Sequence, residues 1–395
     1  MSRAPAEPVP YWRLSAFYLF YFMALGAFLP YWALYLQSQG YDHVQIGIIL
    51  AILPATKIIS PNVSGWLADR TDRSVFLIRI SSWLTAAGCL LLVHADGFWP
   101  MVVASSLVGL FWNAPLPLFE AVTLAYLRGE THRYSQIRLW GSLGFIIAVA
   151  SLGAWLEDWL MVECLPQVVL GLFVAMSLVS CVIGERSVRM GGPNVTSFRR
   201  ILAHPEVLAF MAVFLLVQVA HGPYYTFFSV YLKDHDYDPG QIGLLWSVGV
   251  VAEVLLFIWV GSMVRRIGLR RMVLAALLLG VVRWALIAWC VDSFVVVLGA
   301  QTLHAATFGV SHVAAIHLVN KHFSGRHQGK GQALYSSFSF GMGGMAGSYL
   351  SGLMWDGWGA GIVFSASAGL TLAAFLIALG WIERPRPPTS VRSMR

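Results

Sequence analysis

Five charged side chains, Lys57, Glu120, Arg138, Glu253 and Arg283, lie inside stretches that are otherwise apolar, with His221 and His304 in similar surroundings. A charge at bilayer depth costs roughly 2.5–3.5 kcal/mol on insertion scales, so each of these needs a reason to be there. Carboxylate and imidazole can carry a proton, and lysine or arginine can hold an anion. Lys57 and Glu253 each fall about thirteen residues into a helical stretch, roughly 20 Å at 1.5 Å per residue, which places them near the midplane. Arg283 reaches a similar depth. Glu120 and Arg138 sit closer to the ends of the fourth and fifth stretches and are expected to pair. Lys57, Arg138 and Arg283 against Glu120 and Glu253 leave one positive charge over, and an unpaired buried cation invites a carboxylate.

Aromatic faces accompany the charges. Phe28-Leu29-Pro30-Tyr31-Trp32 and His221-Gly222-Pro223-Tyr224-Tyr225-Thr226-Phe227-Phe228 supply rings from both halves of the chain, against which an aromatic ligand could stack. Trp32 and Phe228 read better as packing or lipid-interface residues. His304, Phe308 and His312 share one helix face, but His312, His317 and His322 read as histidines hydrogen-bonded within a bundle.

These residues need twelve elements to position them. The chain is 58% hydrophobic and 11% charged, with a mean hydropathy of +0.69; most of that apolar surface must face lipid. Stretches of spanning length fall at 12–37, 44–67, 74–94, 98–126, 136–156, 162–184, 206–232, 240–264, 270–291, 293–318, 331–354 and 360–382. The fold class expected is all-α, integral to the membrane. Met1–Arg13 is Pro-rich and runs into a full-length apolar stretch without a small-residue cleavage site, so it reads as a tail and not a signal peptide.

The chain repeats itself. Tyr35–Gly47 returns at Tyr231–Gly243 with seven identities in thirteen positions, including Tyr-Leu and Gln-Ile-Gly. The same shift lays Gly65 on Gly261, Phe28 on Tyr224, and Lys57 on Glu253. Parallel repeats of this kind mark a two-bundle transporter with its ligand between the halves. The expected organisation is an N-terminal six-helix bundle over 1–186, a basic, turn-rich linker over 187–205, and a C-terminal six-helix bundle over 206–395.

Lys and Arg concentrate in alternate loops and the tails: Arg70, Arg73 and Arg79, then Arg128 and Arg133, 186–200, 265–271, 321–330 and 384–395. The opposite loops carry Asp42, Asp96, Glu157, Asp158, Glu163, Asp234, Asp236, Asp238, Asp292 and Asp356, with Lys233 as their only base. Both termini are therefore expected to be cytoplasmic. The formal charge of +7 is spread over short segments beside membrane helices and forms no aromatic-interleaved patch, so nucleic acid is not an expected partner. Cys89, Cys164, Cys181 and Cys290 lack paired spacing and read as packing residues. With no His-Glu-x-x-His or paired catalytic carboxylates, neither an enzyme, a metal site nor a cofactor is expected.

Gly65-Trp66-Leu67-Ala68-Asp69-Arg70-Thr71-Asp72-Arg73 resembles the Gly-x-Leu-Ala-Asp-Arg-x-Gly-Arg signature of the major facilitator superfamily, with Asp72 where that family has Gly. The resemblance implies that Gly65, Asp69, Arg70 and Arg73 form a conformational switch at a helix end. Glu120 and Arg138, with Leu139-Trp140-Gly141-Ser142, are placed like the substrate-gripping pair of the lactose permeases. Arg283, His304 and Glu253 fall where those permeases keep a coupling network, though Thr307 stands where they have a carboxylate. Ile137–Ser142, His221–Tyr225, Ala252–Val254, Val281–Trp284 and Leu303–Phe308 resemble the bacterial phenylpropionate permease family over nearly the whole chain. That family is similar to the lactose and nucleoside symporters, and the resemblance implies uptake of aromatic acids with protons across the bacterial inner membrane by a protein working as a monomer. The site expected is Phe28, Lys57, Glu120, Arg138, His221, Tyr224, Tyr225 and Arg283 for substrate, with Glu253 and His304 for the proton. A nucleoside or oligosaccharide symporter, or an efflux carrier, uses the same scaffold.

Overall fold

The computed structural model describes residues 9–127, 131–156, 162–186, 198–323 and 327–383. Their long helices are α1 Tyr11–Ser38, α2 His43–Thr71, α3 Ser74–Val93, α4 Phe98–Leu127, α5 Arg133–Trp155, α6 Val162–Cys181, α7 Pro205–Lys233, α8 Pro239–Ile267, α9 Leu269–Trp289, α10 Phe294–His322, α11 (327–358) and α12 Ala360–Trp381. All but the Gly- and Ser-rich α11 are apolar and long enough to cross a membrane. The twelve expected stretches coincide with these helices, their ends shifted by no more than four residues. Of the expected linker, 187–197 lies outside the described residues, as do Glu157, Asp158 and Arg128; a short helix, Phe198–Leu202, leads into α7.

The sequence repeat is a pair of helix starts. Asp42 accepts from the backbone N–H of Gln45 at 2.8 Å while Gln45 Oε1 accepts from the N–H of Asp42 at 3.1 Å. Asp238 and Gln241 do the same at 2.7 and 3.1 Å. These capping boxes satisfy N–H groups that would otherwise lack partners at the starts of α2 and α8, which explains why Asp and Gln recur at a fixed offset.

Four helices are irregular at mid-length. In α2 the N–H of Lys57 bonds the carbonyl of Pro54 at 3.0 Å, one residue short of a helical bond. This frees the carbonyl of Leu53, which accepts from Asn113 Nδ2 at 2.8 Å, at the matching break in α4. π-Helical turns occupy Ala305–Val310 in α10 and Ser336–Gly343 in α11. Such irregular backbone in a membrane helix is tolerated where protein partners satisfy the released groups, and it recurs at functional sites.

Helices α1 to α6 form one bundle and α7 to α12 the other, meeting through α2 against α11 and α5 against α8. Their tight contacts run along both seams, from the end that carries the acidic loops to mid-helix, where a Cβ on Gly341 would come within 2.7 Å of Ile58 Cγ1 and Asn62 Nδ2 donates to Ser337 Oγ at 3.0 Å. A Cβ on Gly47 would come within 2.9 Å of Gly352 Cα, and one on Gly243 within 2.9 Å of the Val149 carbonyl; absent side chains let the backbones close, since lipid supplies no hydrophobic drive for helix pairing. His43 Nδ1 contacts Asp356 Oδ1 at 2.6 Å across the same seam. Lys233 donates to Gln37 at 3.2 Å; these two are themselves repeat partners.

Asp72 takes the left-handed conformation at φ 53°, ψ 30°, with its N–H on the carbonyl of Ala68 at 2.8 Å. Asp tolerates that region, so the turn keeps the form expected of a Gly.

Candidate functional site

Arg283 of α9 is 0% exposed. Its Nη1 donates to Thr307 Oγ1 of α10 at 3.0 Å, and Thr307 in turn donates to the carbonyl of His304 at 3.4 Å. The guanidinium carbon lies 4.4 Å from the ring centroid of Tyr224 and 4.5 Å from that of Trp284. Among the described residues no carboxylate comes within 4 Å of it, and its Nε and Nη2 have no hydrogen-bond partner. Cation–π contacts contribute roughly 2 kcal/mol each when desolvated, and they leave the formal charge uncompensated.

His304 lies beside this arginine, one turn from Gln301, and its Nε2 is 3.9 Å from Glu253 Oε2 of α8. Glu253 retains 15% side-chain exposure, and its Cγ packs where a Cβ on Gly309 would be. His221 donates from Nδ1 to the carbonyl of Val217 at 2.7 Å, which leaves Nε2 of the neutral ring as an acceptor, unpartnered and buried. His221, Tyr224 and His304 are ring neighbours: His221 to His304 is 6.3 Å and Tyr224 to His304 is 5.6 Å between centroids. Tyr225 stacks on His221 at 5.9 Å.

From His304 a column of parallel rings follows one face of α10 toward the basic end, Phe308 at 5.4 Å and then His312 at 6.1 Å. Phe340, from the π turn of α11, lies 6.2 Å from Phe308, and Lys57 Nζ lies 5.9 Å from the Phe340 centroid. Lys57, Glu253, Arg283 and His304 are thus joined by one chain of contacts.

The first bundle contributes less directly. Arg138 places its guanidinium 4.0 Å from the ring of Phe22 and 5.5 Å from that of Tyr18, folded back over Gly141, where a Cβ would meet Nη1 at 2.7 Å. It acts electrostatically on Glu253 and His312 of the second bundle. Glu120 is within electrostatic reach of Arg138, but the expected ion pair closer than 4 Å does not form, because the arginine turns to the aromatic faces instead. Phe28 stacks on Trp32 at 4.6 Å and meets Trp112 edge-on at 5.6 Å, inside its own bundle and away from Tyr224 and Tyr225. Trp32 and Phe228 are fully buried packing residues.

The switch motif is disengaged. Nothing lies within 4 Å of a Cβ position on Gly65, Arg70 stacks 4.3 Å from Trp66 on its own helix, and Asp69 and Arg73 are exposed. Among the described residues no hydrogen bond or ion pair joins these four to the second bundle.

Two groups were not singled out from sequence. Gln301, fully buried, accepts at Oε1 from the Tyr224 hydroxyl at 2.9 Å; a lone glutamine in an apolar run gave no periodic signal. At the basic end, Glu206 is shared by Lys321 at 3.3 Å and His322 at 3.6 Å. His204, Glu206 and His322 present ligand atoms within 4.8 Å of one another, but Lys321 already occupies the carboxylate and also holds Glu383 at 2.8 Å. This hub ties α7 to α10 and the end of α12.

Residues 11–366 match the family described as MFS_1 like family. The chain is 29% identical over 343 residues to an Escherichia coli (strain K12) protein named a probable 3-phenylpropionic acid transporter, covering 83% of this chain and 86% of that one. It is 27% identical to a maltose permease of Geobacillus stearothermophilus over 95% of this chain and 96% of that one. The crystal structure of the nucleoside transporter NupG superposes with a TM-score of 0.78 at 16% identity, covering 95% of this chain and 99% of that one.

Proposed function

The chain belongs to the MFS_1 like family of multi-pass membrane transporters and is not an enzyme, and we propose that it is a proton-coupled symporter importing an aromatic carboxylate such as 3-phenylpropionate by alternating access. The observation that carries this reading is Arg283: a fully buried cation with no anion within 4 Å among the described residues, set against the rings of Tyr224 and Trp284. A carboxylate on the free edge of the guanidinium would pair with it through charge-assisted hydrogen bonds, while the substrate ring lies among those aromatic faces. Lys57 and Arg138, which have no ion pair closer than 4 Å among the described residues, add positive potential on the path in. The relative named for 3-phenylpropionic acid supports the same class.

Glu253 and His304 are the proton carriers in this scheme. At 3.9 Å carboxylate and imidazole are too far apart for a hydrogen bond but close enough for the charge of one to act on the other, and neutralising Glu253 removes the anion that would repel the substrate. If the basic loops are cytoplasmic, as their Lys and Arg content argues, the seal at the acidic end makes this the inward-facing state. Engagement of Gly65, Asp69, Arg70 and Arg73 with the second bundle then belongs to the outward-facing state. We take 1–186 and 206–395 as the moving units, joined by 187–205, in a monomer.

Proteoliposomes with an imposed inward proton gradient test this. Labelled 3-phenylpropionate should accumulate and be released by a protonophore, whereas uridine and maltose should neither accumulate nor compete. Accumulation of uridine or maltose instead would assign the chain to the nucleoside or sugar class, and gradient-driven extrusion would make it an efflux carrier.

A further inference from the structure

Gln301 is 0% exposed, sits in the last regular turn of α10 before the π segment that begins at Ala305, and is one turn from His304. Its Oε1 takes the Tyr224 hydroxyl at 2.9 Å, and its Nε2 has no partner. A carboxamide has two N–H donors and the single Tyr224 hydroxyl can absorb no more than one, so in either orientation at least one buried N–H is left unpaired. An unpaired buried donor is destabilising, and this one persists in a well-packed place: Gly249 of α8 backs directly onto it, with the Gln301 carbonyl and Oε1 each 3.6 Å from a Cβ position on that glycine.

The same Tyr224 that holds Gln301 by its hydroxyl carries Arg283 over its ring at 4.4 Å. Arg283 has two further unpartnered atoms, Nε and Nη2. With Gln301 Oε1 on the Tyr224 hydroxyl, Tyr224 joins two residues whose unpartnered atoms are donors. A sugar or nucleoside hydroxyl needs acceptors as well as donors; a carboxylate offers acceptors alone.

We propose that Gln301 is a specificity-determining residue of the substrate site, donating its carboxamide N–H to one carboxylate oxygen of the substrate while Arg283 takes the other, with Tyr224 fixing the spacing between the two donors. This rests on the reading of the chain as a carrier of aromatic carboxylates and extends it to how acid is told from its neutral analogue: the two oxygens of the acid fill both donor sets, whereas an amide or alcohol brings a single acceptor oxygen.

The test is equilibrium binding of 3-phenylpropionate and 3-phenylpropionamide to the purified full-length transporter, in wild type, Gln301→Met, Gln301→Glu and Gly249→Ala, each first shown to be monodisperse. Wild type should prefer the acid. Gln301→Met, of equal length and without donors, should weaken acid binding about tenfold and leave the amide within threefold, collapsing the preference. Gln301→Glu, which sets a carboxylate beside Arg283, should weaken acid binding at least a hundredfold. Gly249→Ala, whose added Cβ would make ordinary van der Waals contact with the glutamine and leave its donors in place, should keep the preference. If wild type does not bind the acid, the functional reading falls and this inference with it. If wild type binds the acid and either Gln301 variant that folds retains the wild-type acid-to-amide ratio, this inference alone falls.

Discussion

Arg283 and Thr307, 24 residues apart and on adjacent helices, are joined by a 3.0 Å hydrogen bond from guanidinium to hydroxyl. In the lactose permease pattern position 307 would be acidic, and the arginine would then be neutralised within the protein. Here a hydroxyl orients the guanidinium without cancelling its charge, and the charge stays available to a ligand.

Supplying the missing carboxylate in cis should therefore abolish the site. Thr307→Asp is expected to pair with Arg283, raise thermal stability and reduce binding of aromatic acids by two orders of magnitude or more, in line with roughly 2–5 kcal/mol for a buried charge pair. Thermal unfolding and binding titrations on the same preparation check both halves; unchanged acid affinity in a folded Thr307→Asp protein would mean that Arg283 does not face the ligand.

Glu253→Gln should abolish accumulation against a gradient while counterflow exchange of preloaded substrate continues, because the variant mimics the permanently protonated carrier. The comparison is made in proteoliposomes. Wild-type energised uptake in the variant would remove Glu253 from the proton path and leave His304 as the candidate.

At the acidic end the seam depends on bare backbone. Gly352→Leu, set against the backbone of α2 at Gly47 and His43, should wedge the seam and shift the population toward the opposite-facing state, read as increased alkylation of a cysteine placed at Gln37. Asp356→Ala should have a smaller effect in the same direction, about two- to fivefold in population, since a part-exposed ion pair contributes roughly 0.2–1 kcal/mol. Alkylation no greater than in wild type for both would show that the seam is held elsewhere.

Much of the fold was legible because its signals are local. Apolar length marked eleven of the twelve helices, and the recurring Asp and Gln marked two helix starts that are capping boxes. Charge in an apolar run stands out in sequence, and the structure groups Arg283, Glu253 and His304, with Lys57 linked to them only through the rings of Phe340 and Phe308. What depends on how helices rotate against one another was not legible. Phe28 is the repeat partner of Tyr224, yet its ring turns into its own bundle. Arg138 prefers Phe22 to Glu120. His312 ends the ring column that its spacing from His304 and Phe308 put on one face, but spacing alone does not say which way that face turns. The break at Lys57 follows Pro54, which has no N–H, and is held by the bond from Asn113 to Leu53; the π turns of α10 and α11 contain no proline. Gln301 is neutral, and hydropathy alone passes over it.

The most direct measurement of the central claim is the affinity of purified protein for 3-phenylpropionate in wild type and Arg283→Gln, followed across pH. The account predicts saturable binding by wild type and a loss of at least a hundredfold in Arg283→Gln at every pH, with the variant as stable as wild type or more so. Equal affinity in the two proteins would contradict it.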